Sequence, residues 1–165
     1  MPSTVLIITG ERNWTLRAVH LAAAMARDAG LAVVMARLVP VAHLEYLGSS
    51  AREALLSYDE FDALREYIAT AEAYGVPFSI EWFEYSDYIG GVTSAAEQHG
   101  AAAVFAPAPG GIVGLLARWR LAWLRRTLGR PLYTLEPGDA LPAWTEPAEP
   151  PAAPATNPSM SARQL

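Results

Sequence analysis

Short apolar runs of strand length alternate with amphipathic stretches of helix length along residues 1–136, and this rhythm constrains the fold most. Thr4-Val-Leu-Ile-Ile8 is a five-residue apolar run followed by Gly10, which reads as a strand buried on both faces. Asn13 is placed to cap a helix running to about Asp28, with Leu16, Val19, Ala23 and Ala24 at helical spacing and Gly30 as its stop. LAVVMARL (Leu31–Leu38) is a second strand closed by Pro40. Ala51–Tyr74 reads as a long helix, with Leu55, Tyr58, Ala63, Tyr67 and Ala71 opposite Glu60, Arg65, Glu66 and Glu72. PFSIEWFEY (Pro77–Tyr85) alternates with period two, as a strand near a sheet edge does. Ile89–His99 is a short helix weakened by Gly90-Gly91. AAAVFA (Ala101–Ala106) is a strand, Ile112–Leu128 a helix and PLYTL (Pro131–Leu135) a last strand. Nine alternating elements predict right-handed crossovers and a doubly wound parallel sheet with helices on both faces.

Beyond Glu136 the rhythm stops. Residues 137–165 carry Pro137, Pro142, Pro147, Pro150, Pro151, Pro154 and Pro158, with Leu141 and Trp144 among their few large apolar residues. Such a segment cannot bury enough surface to offset its ordering entropy. The expected division is therefore one α/β domain over 1–136 and a flexible Pro/Ala-rich tail over 137–165.

Composition removes several chemistries. Cysteine is absent, which excludes disulfides, thiolate metal sites and cysteine nucleophiles. All 12 basic residues are arginines, so neither a Schiff-base lysine nor a Walker-type lysine exists. The net charge of −5 is split unevenly, with 13 acids against 6 arginines up to residue 105 and 4 against 6 after it. An acidic chain with one small basic stretch is a poor nucleic-acid ligand, because phosphate affinity grows with the number of cations presented. No early basic-then-apolar leader is visible and no run approaches ~18 apolar residues, so the expected location is the cytoplasm.

The opening TVLIITGERNWTLRAVHLAAAMARDAG, the LAVVMARLVP that follows, and the closing AAAVFAPAPGG and RPLYTLE together resemble the universal stress protein family over about Thr4–Glu136. The resemblance implies strand order 3-2-1-4-5, and homodimers are common in that family. It also divides into members that bind ATP and members that do not. Binders have an Asp ending the first strand and a G-x2-G-x9-G-[ST] loop after the fourth, whose amides and helix N-terminus hold the phosphates. This chain departs from both. Thr9-Gly10 stands where the Asp would be, and Ala106 and Pro109 stand where the loop glycines would be. Proline has no N–H to donate. Gly111 and Gly114 restore a G-x2-G, but Leu124-Arg125 replaces the later Gly-[ST]. The resemblance is therefore to a degenerate member without ATP as cofactor.

A cleft is still expected where the strand order reverses, between strands one and four. Thr9, Gly10, Glu11, Arg12 and Asn13 would line it from one turn and Pro107–Gly111 from the other. Arg12 has two readings. It meets a small anion there, helped by the amides of Gly110 and Gly111, or it pairs with Glu11 or a nearby acid.

Catalytic constellations are thin. His20, His43 and His99 fall in separate elements without metal-ligand spacing. No G-x-S-x-G elbow occurs. Asp59, Glu60, Asp62 and Glu66 read as a solvated helix face. Helix 112–128 is more informative, because it carries two apolar sides where a sheet-covering helix needs one. Ile112, Leu115, Leu116, Trp119 and Trp123 form one; Val113, Ala117, Leu121, Leu124 and Leu128 form the other, with Arg118, Arg120, Arg125 and Arg126 at their borders. Trp and Arg are enriched at protein interfaces, which makes Leu115, Arg118, Trp119, Trp123 and Arg126 a candidate partner or dimer face. Against this stand packing of both indoles on the sheet or under the tail, and a membrane surface. The expectation is a non-catalytic module acting by association, as a homodimer or on a protein partner. The alternative is a nucleotide-binding member with an atypical loop.

Overall fold

The computed structural model describes residues 4–40, 57–107 and 115–135, with the side chains of 115–118 outside the description. Nine elements follow in order: β1 (Thr4–Ile8), α1 (Arg12–Ala29), β2 (Ala32–Pro40), α2 (Tyr58–Ala73), β3 (Phe78–Tyr85), α3 (Tyr88–Gln98), β4 (Ala101–Phe105), α4 (Leu115–Leu128) and β5 (Leu132–Tyr133). The strands form one sheet in the order β3-β2-β1-β4-β5, and every pair is parallel.

Period two in the strands sorts their side chains between the two faces. Val5 and Ile7 of β1, Val33 and Met35 of β2, and Ala103 and Phe105 of β4 form a core with α1 and α2. Their neighbours Leu6, Ile8, Val34, Ala36, Val104 and Ala106 form a second core with α3 and α4. Helix α1 reaches its core through Ala18, Ala22, Ala23 and Ala26, all fully buried, so it lies close against the sheet. β3 sits at one edge and none of its residues is fully buried, in keeping with its alternating sequence.

The element ends depart from the sequence reading at the starts of α1 and α2. Asn13 is inside α1. The N-cap is Glu11, whose side chain makes no capping bond, and Gly30 ends the helix in the left-handed conformation at φ 67°. Helix α2 starts at Tyr58, and residues 51–56, expected in the same helix, lie outside the described region. Its start is fixed by a reciprocal capping box: Ser57 Oγ accepts from the Glu60 amide while the Glu60 carboxylate accepts from the Ser57 amide. Asp87 caps α3 by accepting from the Gly90 amide at 2.8 Å. The Gly90-Gly91 pair has a packing cause. A Cβ on Gly91 would stand 2.8 Å from Cβ of Tyr85, so α3 and β3 approach through a glycine. The boundary expected at 136, the tail 137–165, and Gly110 and Gly111 all lie outside the described residues.

Candidate functional site

β1 ends at Ile8, and the Thr9 amide still donates to Ala36 O at 3.0 Å, so the chain leaves the sheet beside β2. The next amide, Gly10, donates to the buried hydroxyl of Thr15 at 2.9 Å, which folds the turn back onto α1. Gly10 is also the tightest point of the turn. A Cβ there would lie 3.1 Å from the Pro107 ring and 3.3 Å from the Trp14 ring. Pro107 thus packs against the turn after β1, and the other residues expected to line a β1–β4 cleft from that side, 108–111, lie outside the described residues. A described cleft opens on the other side of β1, over the ends of β1, β2 and β3 and beneath α2.

That cleft has a volume of about 310 Å³. Its apolar wall includes Met35, Leu64 and Ile80, and its polar rim includes Arg12, Arg37 and Glu60. Thr9 and Gly10, expected to line a cleft between strands one and four, line this one, and Arg12 stands at its mouth. The Arg12 guanidinium is committed to α2, donating to Glu66 Oε2 at 2.9 and 3.3 Å and to Asp62 Oδ2 at 3.1 Å. Those bonds, Glu66 first and Asp62 second, raise its pKa above the ordinary arginine value. The ion-pair reading of Arg12 therefore holds, with partners on α2 in place of Glu11. The acids of α2 are correspondingly more than a solvated face.

Four participants escaped the sequence reading. Arg37 and Trp82 are register partners across β2 and β3, and the guanidinium carbon lies 4.7 Å from the indole centroid. Arg37 also ion-pairs with Glu60. The Glu60 carboxyl is held below its usual pKa by the Ser57 amide first and Arg37 second. Tyr67 donates to Arg12 O at 3.3 Å, and burial raises its phenol pKa. The signal available in sequence was the Ser57-x-x-Glu60 box; the pairings with Arg12 and Arg37 span 23 to 54 positions and have no local signature.

The histidines stay apart. His20 Nδ1 lies 3.3 Å from the Tyr74 hydroxyl, and His99 Nε2 lies 3.1 Å from Glu81 Oε2 without hydrogen-bond alignment; His43 is outside the described region. Among the described residues, no three His, Asp or Glu side chains gather as a metal site.

On the opposite face, α4 turns Leu124 and Leu128 into the core and leaves Trp119 66% and Trp123 48% exposed. The indoles therefore do not pack on the sheet. They border a groove of about 360 Å³ against Tyr88 and Ile89 at the start of α3. The Tyr88 ring is fixed in its floor, its hydroxyl donating to Pro107 O at 3.1 Å and its pKa raised by burial. Arg120 lines the groove and Arg126 is exposed one turn beyond Trp123. The side chains of Leu115 and Arg118 fall outside the description. No described helix is long and apolar enough to cross a membrane.

No protein-family model matches the sequence, and no curated protein does. Solved structures do. A universal stress protein in complex with cAMP aligns over 82% of this chain and 97% of its own, at 16% identity and a TM-score of 0.59. A universal stress protein family member from Burkholderia pseudomallei aligns over 81% and 95%, at 19% identity and TM-score 0.55. A universal stress protein from Archaeoglobus fulgidus aligns over 82% and 100%, at 14% identity and TM-score 0.55. Likeness at this identity is likeness of fold: the chain has the fold of the universal stress proteins.

Proposed function

We propose that this universal-stress-protein fold serves as a non-catalytic module that acts by protein association through the indole face of α4, in a cytoplasmic stress-response or accessory role. One observation carries the reading: two tryptophans one turn apart stand exposed on a helix whose other side already supplies the core. Covering what they expose would release on the order of 6 kcal/mol at about 25 cal/mol per Å² and roughly 200 Å² per indole. A second copy is the expected partner, its acidic α2 complementing the arginines of α4. The test is light scattering on Trp119→Ala/Trp123→Ala. A lower oligomeric mass than the parent supports the reading, whereas an unchanged mass together with an unchanged pull-down overturns it.

A second reading is favoured by the cleft over β1, β2 and β3, since a structural neighbour carries cAMP. Here the two lining arginines are occupied by carboxylates, so a triphosphate finds no uncommitted cation on this rim. A ligand of low charge, gripped mainly by its ring, fits better. Adenine nucleotide released on denaturing the purified protein, seen by absorbance near 260 nm, would favour this reading over association alone.

A further inference from the structure

The groove beside the exposed indoles is built from flat aromatic and aliphatic walls with a cation at its rim. Trp119 and Trp123 form one wall, Tyr88 and Ile89 the other, with Arg120 and Asp87 at the ends. Asp87 is engaged in capping α3. Among the described residues Arg12, Arg27 and Arg37 are ion-paired to acids, whereas no such pair holds Arg120 or Arg126. Aromatic-lined grooves with pre-set rings recognise polyproline II segments, whose spaced prolines seat between the rings at little entropic cost.

The sequence holds such a segment. Pro147-Ala-Glu-Pro-Pro-Ala-Ala-Pro154 contains two consecutive P-x-x-P units, 147–150 and 151–154, with Glu149 inside the first and Glu146 just before it, opposite in charge to Arg120 and Arg126. We propose that residues 146–154 of the same chain dock in the Trp119–Trp123–Tyr88 groove as a polyproline II ligand. The inference rests on the docking reading of α4 and names what that face recognises.

Reach permits it. The described chain stops at Leu135, whose carbonyl accepts from the Trp14 indole N–H at 3.1 Å. That anchor lies beyond β5, at the carboxyl ends of the strands, and α3 also starts at that end of the sheet. Ten linking residues, 136–145, span up to about 36 Å, whereas a five-stranded sheet is only about 20 Å across. A segment tethered this closely has a local concentration on the order of millimolar. It therefore fills the groove ahead of the same segment on another copy at micromolar protein. A second copy or any other partner docking on this face must first displace it.

The chain has no cysteine, so Ala152→Cys in the full-length protein gives one site for a nitroxide. The indole N–H signals of the five tryptophans report proximity to it, with Trp82 in the opposite cleft as internal reference. The expected result is at least a threefold intensity loss at Trp119 and Trp123 relative to Trp82. Adding Pro147→Ala/Pro150→Ala/Pro151→Ala should restore most of it, with Trp14 and Trp82 shifts unchanged as evidence of an intact fold. Equal intensities at Trp82, Trp119 and Trp123 overturn the proposal, as does a loss that survives the proline substitutions. Loss appearing only when labelled chains are mixed with isotope-labelled, nitroxide-free ones overturns it too, because the occupant is then a second copy. Light scattering on the indole variant reads association separately, so either result can fail alone.

Discussion

Arg12 on the first turn of α1 and Glu66 on α2, 54 positions apart, are joined by two hydrogen bonds to a single carboxylate oxygen. The mouth of the cleft thereby carries its own counter-charge. Glu66→Gln with Asp62→Asn removes both partners and leaves the guanidinium free at the rim. Affinity for AMP or inorganic phosphate should then rise, seen as a ligand-induced increase in Tm that the parent shows weakly or not at all. The pair is exposed, so the ligand-free Tm should move by no more than about 3 °C.

The start of α2 depends on Ser57. Ser57→Ala removes one side of the capping box and should cost about 1 kcal/mol, or roughly 3 °C in Tm; Ser57→Gly should cost less. Thermal unfolding of the three proteins under one buffer checks the order.

Glu60 gives that cap a pH dependence. Its folded pKa lies below the ordinary glutamate value, so the folded state favours the carboxylate. The contribution is fully present above the unfolded pKa and is lost as pH falls through the depressed folded value. Glu60→Gln should therefore be less stable than the parent at pH 7, and the gap should narrow as pH falls from about 5 toward 3. Urea midpoints across that range test it, and a gap that widens on acidification contradicts it.

Gly91 is required by contact. Gly91→Ala drives a methyl to 2.8 Å from Cβ of Tyr85, and overpacking of this kind costs about 1–3 kcal/mol. Gly90→Ala meets only the Asp87 carboxylate at 3.4 Å and should be neutral, or stabilising by up to about 1 kcal/mol from helix propensity. Equal effects at the two positions would contradict the account.

On α4, Leu124 is 1% exposed and Trp119 66%. Leu124→Ala should cost about 2–5 kcal/mol, whereas Trp119→Ala should change chemical stability by under about 1 kcal/mol. The comparison also shows that the indole variants used for association remain folded.

Local pattern carried the architecture. The doubly wound parallel arrangement follows from alternating periods, and the division of β1 into Val5/Ile7 and Leu6/Ile8 faces follows from strand geometry. The strand order came with the family resemblance. Gly30 was legible as a stop because an αL residue after an alanine-rich helix favours glycine. Asn13 was misplaced as a cap because the turn spends its capping on an interaction from Thr15 to Gly10, which lies in no capping pattern. The cleft over β1, β2 and β3 was not foreseen, because its walls come from α2 and β3, far along the chain from the β1 turn, and no periodicity encodes that packing. The two sides of α4 were legible. Which side faces the core was settled by tertiary packing of Leu124 and Leu128.

The residue whose ring meets the Gly10 turn at the end of β1 also carries the carbonyl that holds Tyr88. A single residue is thus a shared abutment for the turn on one side of the sheet and for the aromatic trough on the other. Any displacement of Pro107 therefore bears on both contacts at once, the glycine of the turn and the phenol of the groove.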